Sequence, residues 1–250
     1  MTYSKFFKPT FCAAAILLAA GFNHTQTAAA YEVAPLHHYL ELVGKNAMSS
    51  FAITNTHDYP LTVEMMIEKR IFKNSVHVED VPADDDFLIF PPQAIIAPGK
   101  VQRVQVRYVG ESMDESEFFR LIVRQVPVEL DSAESNQVNL SYNFNSAVYV
   151  APKGAKSKLV AGAITPSAGG SFDVVVTNEG QYHALLPSLV WTASNGSQKK
   201  VLDSSSVPLG ETNFVEPGGV RTINIPAEAL DGMRSITALD FSPNKSKRSG

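Results

Sequence analysis

From Gln137 to Pro152 the chain alternates with a period of two. Val138, Leu140, Tyr142 and Phe144 are bulky and apolar, while Asn139, Ser141, Asn143 and Asn145 are short and polar. No Gly or Pro interrupts the run before Pro152. This pattern predicts a long half-buried β-strand. It fits either an interior strand of a sandwich or an edge that lends its apolar row to a partner. A flat uncovered edge would template aggregation through its free backbone groups, so an edge of this kind implies something that covers it.

The same alternation recurs along most of the chain. Met48–Asn55 and Leu61–Phe72 read as strands, the second with Leu61, Val63, Met65 and Ile67 on one face. Phe87–Phe90 precedes Pro91-Pro92, and a Pro98-Gly99 turn leads into Val101–Val109, with Val104, Val106 and Tyr108 predicted inward. In the next strand Phe119, Leu121 and Val123 form the core face and Arg120 and Arg124 the other. Some seven short strands separated by turn signals predict an immunoglobulin-like β-sandwich. Pro152-Lys153-Gly154-Ala155 breaks the pattern and predicts a domain boundary. Beyond it, strands are expected at Ser171–Asn178, Leu185–Ala193, Val220–Ile225 and Ser235–Phe241, with Trp191 in the core and a hairpin turn at Asn195-Gly196. The fold class is all-β, two immunoglobulin-like sandwich domains, spanning 31–152 and 153–250.

Residues 1–30 read as a signal peptide. Lys5 and Lys8 precede the apolar run Phe11–Ala20, which is short for a bilayer span, and Ala28-Ala29-Ala30 offers a small-residue cleavage site before Tyr31. This predicts an exported protein without membrane insertion. The only cysteine, Cys12, falls inside that segment, so the mature chain is expected to have no disulfide and no thiolate metal site. Removing the segment takes the formal net charge from −4 to −6, because Lys5 and Lys8 are its only charged residues. A mildly acidic exported chain is a poor nucleic-acid binder.

Positive signs of catalysis are missing. His37, His38, His57, His77 and His183 show no metal-ligand spacing, and adjacent His37 and His38 would point to opposite faces of a strand. Asp84-Asp85-Asp86 lacks the spaced ligands and central Gly of a calcium loop. No nucleophile elbow, phosphate loop or dinucleotide fingerprint occurs. No cofactor, no metal and no enzymatic activity are expected.

Several segments in order resemble the PapD-like periplasmic chaperones of the chaperone–usher pathway. They are Ser49–Asn55; Phe90-Pro91-Pro92 through Pro98-Gly99-Lys100 with Gln102 and Arg107; Glu117–Val123 ending at Val126-Pro127; and Val148-Tyr149-Val150-Ala151-Pro152. Thr177-Asn178-Glu179-Gly180 with His183, and Val215-Glu216-Pro217-Gly218-Gly219, resemble the family's second domain. The resemblance implies a boomerang-shaped pair of sandwiches in the periplasm. Its partners would be pilin or fimbrial subunits and an outer-membrane usher. It also implies donor-strand complementation, in which Val138, Leu140, Tyr142 and Phe144 fill the groove of an unfinished subunit and backbone bonds complete its sheet. A free edge of this kind also allows self-association.

The family's usual carboxylate anchor is basic at two places that align with Tyr39 and Ala147, neither of which is basic. This departure points to a divergent, archaic or alternative branch. Topology suggests a substitute: Arg107 and Arg120 bracket the turn Gly110–Ser116, which should lie at the interdomain cleft, and two guanidiniums there could clamp a carboxylate. The competing reading pairs them with Glu111, Asp114, Glu115 or Glu117. Two other functions are set against the chaperone. A structural fimbrial subunit or adhesin would carry its donor row at the N-terminus. An exported carbohydrate-binding module would show an aromatic platform.

Overall fold

In the computed structural model, residues 31–126 and 141–244 are described. The predicted leader, the chain tail after Asn244, and Val138 and Leu140 lie outside the described residues.

Ten strands build the first part of the chain: β1 (Glu32–Ala34), β2 (His37–Glu41), β3 (Met48–Thr54), β4 (Leu61–Lys73), β5 (Val76–Pro82), β6 (Phe87–Phe90), β7 (Gln93–Ile96), β8 (Val101–Tyr108), β9 (Glu117–Gln125) and β10 (Asn143–Ala151). One sheet has the order β1-β3-β8-β6; the other runs β2-β10-β9-β4-β5, with β7 also paired to β4. Alternate side chains turn inward, as the sequence predicts. Val104, Val106, Phe119, Leu121, Val123, Val63 and Ile67 are fully buried in one continuous core that also takes in Tyr31, Phe51, Val148 and Val150.

A second core lies beyond Pro152. Its strands are β11 (Leu159–Pro166), β12 (Phe172–Asn178), β13 (Ala184–Leu185), β14 (Leu189–Ser194), β15 (Lys199–Leu202), β16 (Phe214–Val215), β17 (Val220–Ile225) and β18 (Ala238–Pro243), with one helical turn at Ala227–Leu230. They pair as β11-β12-β17, β13-β16 and β15-β14-β18. Trp191 is fully buried, its indole N–H donating to the Leu186 carbonyl at 3.0 Å. The chain is therefore nearly all β and folds around two sandwich cores.

β5 and β11 escape the sequence pattern for a physical reason. β5 is an edge strand whose Val76 and Val78 are exposed, so it has no buried row to set a period. In β11 the register with β12 shifts between Ala161 and Ile164, which breaks the alternation.

One asparagine plays the same part in each half. Asn55 Nδ2 donates to the carbonyls of Tyr59 and Ile96, both at 2.8 Å, while its Oδ1 accepts from the His57 N–H. Asn178 Nδ2 donates to Tyr182 and Val215, and its Oδ1 accepts from Gly180 and Lys158. Each asparagine also exchanges backbone bonds with a Pro-Gly turn, Asn55 with Gly99 and Lys100, and Asn178 with Gly218 and Gly219. Both are fully buried. The shared spelling is Thr-Asn followed by Tyr four residues after the Asn, with a later Pro-Gly. Two short motifs so far apart carry the signal, and the letters between them do not repeat.

Candidate functional site

Strand β10 organises the site. It pairs antiparallel with β9 from Asn143 to Val150, but with parallel β2 only from Ala147 to Ala151. The Ala147 N–H donates to the Leu36 carbonyl at 2.8 Å, so odd-numbered residues turn their backbone groups towards β2. By the alternation of the ladder, the N–H and C=O of Asn143 and Asn145 face the same side. There, among the described residues, no strand meets them. The N-terminal part of β10 is thus an open edge.

Even-numbered residues of β10 point between the sheets. Ser146, Val148 and Val150 are buried, and Tyr142 and Phe144 are partly buried against the same core at the mouth of the sandwich. The Phe144 ring meets the Tyr31 ring edge-on at 4.7 Å. The two described members of the predicted donor row therefore share one face and continue the core outward.

The outer face of β10 leads to the cleft between the halves. Tyr149 packs with Phe118 and Phe214, joined by Phe72, Ala147, Tyr182 and Leu185. His183 lies within this aromatic group, 5.1 Å from the Phe214 ring and 5.4 Å from that of Tyr149. Its backbone N–H donates to Ser116 Oγ at 2.9 Å, and the same hydroxyl is hydrogen-bonded to His183 Nδ1 at 2.6 Å. Burial holds the His183 pKa down at about 4. The Ser116 N–H also donates to the Gln181 carbonyl at 2.8 Å, so the turn before β9 does lie at the cleft.

The two arginines proposed as a clamp do not converge. Arg107 stands exposed on the outer face of β8, between Met48 and Leu88 in neighbouring strands. Arg120 stands on the outer face of the opposite sheet, between Ala147 of β10 and Glu68 of β4. The turn lies at the cleft as expected, but the strands on its two sides belong to different sheets. None of the four acids near the turn pairs with Arg120; its partners are Glu68 at 2.5 Å and Asp80 at 2.8 Å, residues far away in sequence. Asp80 also accepts from Arg70 and His77, both at 2.9 Å. Burial alone would raise the Asp80 pKa, but the bonds from His77 and Arg70 and the charges of Arg70 and Arg120 hold it below the usual carboxylate value. Arg120 Nε is buried without a hydrogen-bond partner. Of the positions where the family would be basic, Tyr39 stacks on Tyr149 at 5.6 Å and Ala147 packs against the aromatic cluster.

Comparison with known proteins accounts for this arrangement. Residues 37–156, which include β2 through β10, match the family described as pili and flagellar-assembly chaperone, PapD N-terminal domain. The first sandwich of this chain is a PapD-like pilus-chaperone domain. Solved structures share the two-domain fold at low identity. The class 5 fimbriae chaperone CfaA aligns with a TM-score of 0.57 at 10% identity, over 86% of this chain and 92% of that one. The E. coli chaperone DraB aligns at 0.52 and 17% over 79% and 87%. A chain of the Salmonella enterica SafA pilin–SafB chaperone complex aligns at 0.54 and 15% over 86% and 96%. No curated protein matches in sequence. The matched family is one of chaperones for pilus and flagellar assembly. Among the described residues, no helix is long and apolar enough to cross a membrane.

Proposed function

We propose that the chaperone works in the periplasm, without catalysis, by lending the strand that begins near Val138 to an unfinished pilin. The open edge at Asn143 and Asn145, directly continuous with an inward-facing Tyr142–Phe144 pair, is the observation that carries this reading. A subunit strand adding there would gain backbone bonds regardless of its sequence, while pockets for Val138, Leu140, Tyr142 and Phe144 would set the register. Each large apolar side chain moved from water into such a pocket contributes about 1.5–3 kcal/mol. Four can offset much of the cost of ordering an incomplete subunit without nucleotide. The residue boundaries 31–152 and 153–250 follow the same reading, with Pro152 ending the lent strand's continuation.

Arg120 is the better candidate for the carboxylate anchor. It is next to Ala147, where the family's basic residue would stand, and its side chain is only partly covered. A subunit carboxylate would have to share Arg120 with Glu68 and Asp80, which predicts a weaker anchor than a free basic pair. Arg107, on the far sheet, has no such route.

Periplasmic co-expression with a pilin subunit, followed by pull-down, tests both assignments. Wild type should yield a one-to-one complex, Leu140→Asp with Tyr142→Asp should lose it, and Arg120→Ala should retain a reduced amount. Undiminished recovery with the double variant would sink the lent-strand reading.

A further inference from the structure

We infer that Tyr31 is a positioning residue for the lent strand: it braces the two sheets across the core and sets the direction in which that strand leaves the sandwich. The inference rests on the lent-strand reading, but its own evidence lies in the free chaperone.

Tyr31 immediately precedes β1, which pairs with β3 on the edge of one sheet. Its side chain crosses the core to the other sheet and is fully buried. There the hydroxyl reaches two backbone acceptors, the Val123 carbonyl of β9 at 2.6 Å and the Tyr142 carbonyl just before β10 at 3.0 Å. One phenolic proton is thus divided between the two chains of the β9–β10 pair. Burial pushes the Tyr31 phenol up to about 12, with a backbone hydrogen bond at Phe144 opposing only part of that rise. It stays a protonated donor throughout the physiological range.

The location matters because the pair comes apart there. Regular pairing of β10 with β9 starts at Asn143; among the described residues it is preceded by the Gln125 N–H to Tyr142 carbonyl bond (3.1 Å), the Ser141 hydroxyl to Gln125 carbonyl bond (2.9 Å) and a long Tyr142 N–H to Gln125 Oε1 contact (3.4 Å). Among the described residues, no second strand supports β10 on its open side there. A slip by one residue would turn Tyr142 and Phe144 outward and the asparagines inward. Tyr31 opposes the slip twice. Its hydroxyl selects the Tyr142 carbonyl, and its ring seats Phe144 edge-on. Few other side chains combine a body large enough to span much of the roughly 10 Å between packed sheets with a polar tip able to bond at the far side.

Hydrogen–deuterium exchange on the free chaperone, purified from the periplasm and checked for its N-terminus by intact mass, tests this. Tyr31→Phe keeps the ring and removes the shared proton. The amides of Gln125 and Phe144 should exchange about fivefold faster, the value of one ordinary hydrogen bond, while amides of β12 and β17 stay unchanged. Ile53→Val, a core change on β3 in the same sandwich that leaves the Tyr31 hydroxyl intact, controls for general destabilisation and should not single out those two amides. Equal acceleration in both variants, or none in Tyr31→Phe, overturns the inference. In the capture assay Tyr31→Phe should release bound pilin severalfold faster than Ile53→Val, and identical release rates would overturn the role in capture. Failure of the lent-strand reading shows separately, as undiminished capture by the Leu140→Asp, Tyr142→Asp variant.

Discussion

His183 shows how a single buried residue ties acid stability to domain contact. It is neutral in the folded protein, surrounded by Phe118, Tyr149 and Phe214 and bonded through Nδ1 to Ser116. Its pKa falls from the ordinary 6.5 to about 4 because burial disfavours the cation. Between those values the unfolded chain binds a proton that the folded chain refuses, so stability declines as pH drops from about 6.5 towards 4 and levels off below. His38, also buried and held near 4 by burial and by the neighbouring His37, adds to the same window. Each contributes up to about 3 kcal/mol to the slope. Urea unfolding followed from pH 7.5 to 4.5 should show this loss, and His183→Gln should flatten about half of it. The sequence marked His183 through family resemblance alone. Its burial and its bond to Ser116, 67 residues away in sequence, were not legible, because nothing in the local pattern of either residue announces a contact between two domains.

At the scale of elements, the β4–β5 hairpin reaches out of one sandwich to hold the other. Its two-residue loop, Asn74-Ser75, takes positive φ at both positions, as a tight hairpin of this twist requires. Ser75 is an unfavourable residue for that conformation, but Glu216 repays it. Both carboxylate oxygens accept from the Ser75 N–H at 3.0 Å, the Ser75 hydroxyl donates to one of them at 3.1 Å, and Thr212 Oγ1 donates to the Ser75 carbonyl at 2.7 Å. Glu216→Ala should cost about 1–3 kcal/mol of contact and speed exchange at the Ser75 amide well over tenfold, with the β12–β17 amides unaffected. Element by element, strands with one dry face were readable: β4, β8 and β9 have the predicted cores, and β3 and β17 lie where strands were expected. β5 was not, since both of its faces meet water, and its partner Glu216 belongs to a turn whose Pro-Gly letters reveal bending but not what the carboxylate grips.

The whole molecule carries two cores joined by an aromatic seam rather than by a long linker. Phe118 and Tyr149 come from one half, Phe214 from the other, and the Arg70 guanidinium covers the exposed side of Phe118 at 5.9 Å. A seam of this kind makes the halves unfold together. Phe214→Ala should remove about 3 kcal/mol of packing and split a single calorimetric transition into two, the second core melting first. A single sharp transition in that variant would show that the seam does not couple the halves. Two sandwiches were legible from turn spacing and strand count. The seam was not, because Phe118 and Tyr149 sit at positions that alternation assigns to solvent, and only the second half's approach makes them dry.

Strand β10 has both its ends employed. Within seven residues it passes from a bare edge at Asn143 to a residue clasped between two domains at Tyr149, and at about 3.4 Å per residue that span is some 20 Å of stiff backbone. A load applied to the edge would therefore be felt at the aromatic seam as torsion, and a shift of the seam would re-aim the edge. Whatever seizes one end takes hold of a lever whose fulcrum is β2.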